Sequence, residues 1–407
     1  MTQAIQKKLN DSAWARWTAL ILVALTMFFG YMFVDVLSPL QNMLESTRGW
    51  SPTIFGLYGG SEFILNVCGF LLVAGIILDK MGVRFTGILS ASLMVLGAGI
   101  KFYGLSNYFY EGGFGYEFLN SFLTDIPASA KLACLGFMIF GCGTEMAGVT
   151  VSRAIVKWFT GKELALAMGL AIARLGVFAV FSLSPWVANW GGDPSVARPV
   201  AVVGLLLCIG LLTYIAFSVM DFKLDRQTEA DTPIGETEEP FKVADLKNLF
   251  SSKTFLIVSA LCVLYYSAIF PFQRFATGML ESNLGITNQQ ASDIFRWFPM
   301  GAMILTPLLG WFLDRKGKGA TMLMIGAILM FICHMTFALV PLTPTIAFSA
   351  IILLGLSFSL VPAALWPSVP KLVDNRYMGS AYATIFWIQN LGLMAFPIII
   401  GWVLNKV

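Results

Sequence analysis

GIILDKMGVR, Gly75 to Arg84, returns as GWFLDRKGKG, Gly310 to Gly319, with Gly75, Asp79 and Gly82 matched by Gly310, Asp314 and Gly317 at a constant shift of 235 positions. Gly, Asp, Lys/Arg and Gly at fixed spacing, each time closing a long apolar run, mark a duplicated unit. Working outward, apolar runs lie near 17–44, 52–79, 84–105, 130–158, 161–190, 198–221, 254–281, 289–313, 319–340, 346–371 and 378–405. They are too long for barrel strands and lack a period of two, so they predict eleven membrane-spanning helices.

Composition agrees. Of 407 residues, 57% are hydrophobic and 12% charged, and the mean hydropathy is +0.77. A soluble domain of this length does not carry repeated apolar runs of about 20 residues. The net charge of +3 is too small and scattered for nucleic acid. Of the 26 Lys and Arg, 17 fall on the N-terminus and one set of alternate loops: Lys7, Lys8, Arg16, Lys80, Arg84, Lys157, Lys162, Lys223, Arg226, Lys242, Lys247, Lys253, Arg315, Lys316, Lys318, Lys371 and Arg376. The opposite loops take Arg48, Lys101, Lys131 and Arg198, so the positive-inside rule puts the N-terminus in the cytoplasm. The first run has no small-residue cleavage site and reads as a retained span. A short N-terminus without sorting motifs fits a bacterial inner membrane.

The polar stretch from Asp221 to Ser252 divides the chain. The expected organisation is an all-α membrane protein with a six-helix bundle over residues 1–222, a cytoplasmic linker over 223–252 and a second bundle over 253–407. Six cysteines stand singly in apolar runs, without CxxC, and read as small core residues. The outer loop between Leu105 and Pro127, aromatic and Gly-rich, reads as an interfacial belt.

The repeated loop resembles the GxxxD(R/K)xGx(R/K) signature of the major facilitator superfamily, with Gly319 departing from the usual last basic residue of the second copy. The resemblance implies two pseudo-symmetric six-helix bundles that rock about a central site. The superfamily has twelve spans, and the expectation is that the twelfth was cut or not included. The motif glycines are expected to let helices cross closely, and Asp79 to hold a neighbouring helix end. Three stretches resemble the lysosomal dipeptide carriers of that superfamily and their bacterial relatives: KWFTGKELALAMGLAIARLG at Lys157–Gly176, ALWPSVPKLVDNRYMGSAYATIFWIQNLGL at Ala364–Leu393, and DVLSPLQ at Asp35–Gln41 followed by GWSPTIFGLYG. This closer resemblance implies carriage of short peptides, with Glu145 and Arg174 matching the family's charged pocket residues.

The residues themselves place that pair in the same role. Glu145 and Arg174 stand on neighbouring runs, each about 15 residues from the turn at Phe159-Thr160-Gly161. At ~1.5 Å per residue both lie roughly 22 Å from the turn, near the middle of an apolar core ~30 Å thick. Ionisable groups at that depth usually mark a substrate or ion path. The competing reading is a structural ion pair. A zwitterionic solute suits the pair, Glu145 taking the ammonium and Arg174 gripping the carboxylate with its planar fork. Arg274, Tyr265, Trp366 and Gln389 are further binding candidates, with packing as the alternative for the aromatics and outward snorkelling for Arg274. Of the adjacent Gln389 and Asn390, one is expected to face the pathway.

Asp35 and Glu62 read as proton-coupling or outer-gate carboxylates, Asp79, Arg84 and Asp314 as motif gating residues, and Arg153 as a cytoplasmic gate or an ordinary positive-inside residue. The lone His334 has no ligand-spaced partner and reads as a core residue. No metal site, cofactor or GxxxxGK(S/T) loop is expected. An intramembrane enzyme would need paired Asp, a Ser with a base, or HExxH on a span, and none is present. The expected partners are a small-molecule substrate, protons if transport is coupled, and the lipid bilayer. The chain is expected to be monomeric, with any accessory subunit left open. The leading reading is a secondary carrier of dipeptides. The alternative is a carrier of small organic anions, bound by Arg174 with Arg274 or Arg296 and coupled through Glu145.

Overall fold

A computed structural model describes residues 8–159, 172–228, 249–316, 318–369 and 378–406, and among them there is helix but no strand. Eight of the described helices are long and apolar enough to cross a membrane, with Leu175–Ala188 a shorter apolar helix. The elements are α1 (Ala13–Val34), α2 (Gln41–Arg48), α3 (Pro52–Leu65), α4 (Leu71–Leu105), α5 (Asn107–Tyr110), α6 (Tyr116–Asn120), α7 (Ala128–Phe159), α8 (Ile172–Ala188), α9 (Ala197–Thr228), α10 (Lys253–Leu284), α11 (Asn288–Phe295), α12 (Trp297–Lys316), α13 (Gly319–Leu339), α14 (Pro344–Leu365) and α15 (Met378–Leu404). Helices are the only open-ended way to keep backbone polar groups paired in lipid. Residues 160–161 of the expected turn and most of the expected linker, 229–248, lie outside the described residues.

Several ends follow from the sequence. The first span, expected to run unbroken over 17–44, stops at Val34, passes through a 3₁₀ turn at Ser38–Leu40 and resumes as α2. Pro39 is the cause: it donates no hydrogen bond and its ring would strike the carbonyl four residues back, which belongs to Asp35. The expected spans 52–79 and 84–105 run together, with a π turn at Asn66–Phe70 containing Gly69 at φ 109° and a break at Gly82 with φ 72°, ψ 176°. Gly82 therefore earns its place in the motif through backbone conformation. The expected close helix crossing is not seen at Gly75, where no described atom lies within 4 Å of a Cβ position. Gly82→Ala, which forces a side chain into a region populated almost only by glycine, is expected to cost about 1–3 kcal/mol, read as a lower melting temperature in detergent.

In the first set of helices, α1 packs against α8 and α9, while α4 packs against α7 and α9, and α3 leans on α7. In the second, α14 packs against α12 and α13, and α10 against α15. The two sets meet where α3 runs antiparallel to α15 and where α8 meets α11 and α12. We call the side holding the start of α1 and the ends of α7 and α9 the basic face. The side holding α2, α5, α6 and the start of α11 is the opposite face.

α9 runs on to Thr228, past the expected start of the linker. Asp221, the first residue of the polar stretch, is consequently buried, its carboxylate accepting from the Trp158 indole at 2.9 Å and Lys157 Nζ at 2.7 Å. Asp225, one turn on, pairs with Lys157 at 2.6 Å and with Arg84 at 3.2 Å. The spacing of four residues is what puts both carboxylates on the helix face that meets α4 and α7.

Candidate functional site

The candidate site is built where α10 crosses the first set. The break after α1 leaves Asp35 as a helix-ending residue, 2% exposed, its carboxylate accepting from Ser38 Oγ at 2.9 Å and from Gln273 Nε2 at 2.6 Å. The next residue along α10, Arg274, forms an ion pair with Glu62 of α3, and both are 5% exposed. Consecutive side chains of one helix thus engage two carboxylates of the other set, in an interior where a lone charge is costly. Nearby, Tyr58 stacks on Phe137 at 4.6 Å between centroids, and the Arg274 guanidinium lies over the same Phe137 ring.

Glu145 lies one helical turn from Gly141, the point where α7 crosses α3. A Cβ on Gly141 would sit 2.0 Å from the Glu62 carbonyl oxygen, and Asn66 donates to the Gly141 carbonyl at 3.3 Å. Glu145 is half-buried and has no ion-pair partner among the described residues. It stands on the basic-face side of the Glu62–Arg274 pair. The backbone of Arg174 opens α8 two residues before Gly176, where the helix crosses α1 against the Phe28 carbonyl, but its side chain lies outside the described residues. The same holds for Asp314 on α12.

The other expected site residues divide. Tyr265 donates to the Ser357 carbonyl at 3.3 Å and stacks on Phe358. Trp366 donates to the Tyr266 hydroxyl at 2.9 Å and stacks on Phe386. Gln389 accepts from Cys262 Sγ at 3.4 Å, while its neighbour Asn390 is also buried, its amide nitrogen without a hydrogen-bond partner. Tyr265, Trp366 and Gln389 are all members of the second set, and their described contacts are packing and hydrogen bonds within it. Arg296 ends α11, bonding Ser182 Oγ at 2.9 Å and Asp293 at 3.1 Å, at the junction with α8. Asp79 and Arg153 pair at 2.5 Å on the basic face, both substantially exposed, and Arg84 joins the Asp221–Asp225 cluster at the same end. His334 bridges the Met330 and Ala268 carbonyls. Among the described residues no cluster of His, Cys, Asp and Glu could hold a metal.

Two residues escaped the sequence reading. Asp221 opens the polar stretch that divides the chain and carries no expected role there. Lys101 was counted with the outer-loop cations, but it is inside α4, 0% exposed, and its ammonium rests on the rings of Phe33, Tyr58 and Phe137. The signal was available: Lys101 stands four residues inside the end of its own apolar run, 84–105.

The hydrogen bonds joining the two sets among the described residues sit at the opposite face or at mid-depth. They include Asn288 to the Pro39 carbonyl, Gln289 to Ser182 at 3.4 Å, Thr53 to Gly401 at 3.4 Å and Trp387 to Val67 at 2.9 Å. The opposite face is closed.

The family profile of the Major Facilitator Superfamily matches residues 20–397. The chain belongs to the Major Facilitator Superfamily. It is therefore a multi-pass membrane transporter and not an enzyme. Among its relatives is the human lysosomal dipeptide transporter MFSD1, 28% identical over 405 residues, covering 96% of this chain and 80% of the human one. The zebrafish (Danio rerio) lysosomal dipeptide transporter MFSD1 is 30% identical over 401 residues, covering 96% and 81%. The bovine (Bos taurus) protein of that name is 32% identical over 280 residues, 67% of this chain and 58% of the bovine one. Superfamily structures share the fold: a bacterial homologue of the human lysosomal transporter Spinster has a TM-score of 0.71 at 14% identity, covering 95% of this chain and 82% of that one. The nucleoside transporter NupG has a TM-score of 0.68 at 14% identity, covering 96% and 91%.

Proposed function

We propose that the protein carries small zwitterionic solutes, dipeptides foremost, by exposing one central site alternately to the two sides of the membrane. The observation that carries this reading is Glu145: a carboxylate half-buried on α7, with no ion-pair partner among the described residues, beneath a junction that Glu62 and Arg274 close. A carboxylate at that depth that none of the described cations holds suits a ligand ammonium. Arg174, at the start of α8, is proposed to take the ligand carboxylate. Tyr265, Trp366 and Gln389 are proposed to form the wall contributed by the second set. The two-bundle division at 222–253 is retained as the moving unit.

The names of the MFSD1 relatives support dipeptides as the solute class. The organic-anion reading has less support, because Arg274 and Arg296, its two accessory cations, are already engaged by Glu62, Asp293 and Ser182. The excess of Lys and Arg at the basic face supports placing that face in the cytoplasm, in a bacterial inner membrane or an organelle alike. On that orientation the described state is closed to the outside. Coupling to protons through Asp35 or Glu62 belongs to this proposal.

Thermal shift of the purified protein against dipeptides, amino acids, sugars and dicarboxylates tests the solute class, because a ligand that binds the folded state raises its melting temperature by mass action. Dipeptides at about 100-fold over Kd should stabilise by roughly 2.7 kcal/mol. The shift should vanish in Arg174→Ala and in Glu145→Gln. Stabilisation by dicarboxylates alone would install the organic-anion reading in its place.

A further inference from the structure

We propose that Lys101 is the reserve counter-ion of the closed junction: when the two sets part at the opposite face and Arg274 withdraws with α10, the Lys101 ammonium leaves its aromatic box and takes over the Glu62 carboxylate. The inference rests on the alternating-access reading and deepens it.

Among the described residues, four acidic and basic side chains gather at the closed junction. Asp35, Glu62 and Lys101 belong to the first set, and Arg274 to the second. Glu62 is held by Arg274, and Asp35 by the neutral amide of Gln273. Lys101 has no hydrogen-bond acceptor among the described residues although it is fully buried. Its ammonium lies 4.3 Å from the Phe33 centroid, 4.9 Å from that of Tyr58 and 4.5 Å from that of Phe137. Ring faces attract a cation, so the box is a tolerable resting place, but it offers none of the oxygens an ammonium with three donors would take.

The division of these groups between the sets decides what opening does. Phe33, Tyr58 and Phe137 stand on α1, α3 and α7, so the whole box travels with Lys101. Arg274 reaches in from the second set beside Gln273, its guanidinium 5.2 Å from the Phe137 centroid. Parting the sets therefore strips Glu62 of its partner and Asp35 of Gln273, and leaves Lys101 as the cation of the first set that stands beside them among the described residues. A buried carboxylate stripped of its partner makes the open state costly unless another charge replaces it. The Lys101 ammonium and the Arg274 guanidinium that holds Glu62 lie against the same Phe137 ring, 4.5 Å and 5.2 Å from its centroid. Tyr58, whose ring also faces Lys101, and Glu62 are four residues apart on α3, on one helix face. The buried Tyr58 hydroxyl also lacks a hydrogen-bond partner among the described residues. A flexible four-carbon stem with a compact head suits a group that must change partners, as the planar fork of Arg274 suits the one that locks.

The test is a distance measurement by pulsed electron paramagnetic resonance in liposomes, with spin labels at S46C and N283C, both exposed at the opposite face. Cys68 and Cys208, the two cysteines that are not buried, are replaced. Wild type should show a short and a long population. Lys101→Met keeps the bulk, loses the charge, and should deplete the long population roughly tenfold or more. Lys101→Arg should keep it within about twofold, and K101M/E62Q, which removes one charge of each sign, should restore it. An unchanged distribution in Lys101→Met, or a K101M/E62Q double variant that stays short, overturns the proposal. Arg274→Gln with Lys101 in place should enrich the long population, and a failure to do so overturns the proposal even where Lys101→Met does not fold. A wild type that holds one distance with and without dipeptide overturns alternating access itself, and this inference with it.

Discussion

Asp221→Ala is expected to destabilise the protein by about 3 kcal/mol, a loss visible as an early melting transition in detergent. Asp221 is 0% exposed and receives the Trp158 indole N–H and the Lys157 ammonium, with Arg84 Nε at 3.9 Å. Removing one partner of a buried charged cluster leaves the others desolvated, which costs about 3–5 kcal/mol. The low end applies because Lys157 is 30% exposed and retains Asp225 at 2.6 Å. Asp221→Asn should recover part of the loss by still accepting from Trp158. The contrast is Asp79, which belongs to the repeated motif: its pair with Arg153 has side chains 47% and 39% exposed, and exposed pairs contribute about 0–1 kcal/mol. Asp79→Ala should therefore melt close to wild type, and its cost should fall on transport. Equal melting shifts for the two variants would refute this ordering.

Gly60→Leu is expected to suppress solute uptake in proteoliposomes roughly a hundredfold by preventing closure at the opposite face. α3 and α15 touch there through backbone: a Cβ on Gly60 would lie 2.4 Å from the Met394 carbonyl oxygen, and one on Gly56 2.3 Å from the Pro397 carbonyl oxygen. Backbone oxygen cannot rotate aside as a side chain can, so the clash is relieved only by moving the helices apart. Overpacking costs about 1–3 kcal/mol, and at 1.4 kcal/mol per factor of ten the upper figure shifts the closed-to-open ratio about a hundredfold. Consistent with that, T53C on a Gly60→Leu background should react faster with a membrane-impermeant maleimide than T53C alone. Gly99→Leu, placed where nothing described lies within 4 Å, is the size-matched control and should keep uptake within about twofold. Normal uptake by Gly60→Leu would show that this junction does not govern the cycle.

Much of this architecture is legible in the chain because lipid allows so few solutions. Long apolar runs must be helices, and the expected spans 198–221, 254–281, 319–340 and 378–405 fall on α9, α10, α13 and α15. The paired GxxxD loops predicted the superfamily to which the chain belongs. Ends set by tertiary contact were less legible. α9 continues to Thr228 because Asp221 and Asp225 find cations on α4 and α7, partners remote in sequence. The break at Asp35 was readable from Pro39, although apolar character alone carried the expected span to residue 44.

The same split runs through the candidate site. Asp35, Glu62 and Arg274 stand out in sequence because ionisable groups inside spans are rare and costly. That two of them pair across the bundle, and that Gln273 supplies the third with its donor, depends on the angle and depth at which α10 crosses α1 and α3, and no local pattern encodes either. Lys101 shows the distinction most sharply. Hydropathy treats a lysine near the end of an apolar run as a surface charge, since its stem can usually carry the head to water. Here Phe33, Tyr58 and Phe137, drawn from three other helices, enclose it instead. By itself the sequence determined helix, membrane and superfamily, because those depend on the transfer of each segment between water and lipid. Which charges meet and which is enclosed by rings was decided only by tertiary packing, because electrostatic energy depends on distances between groups that the chain order leaves free.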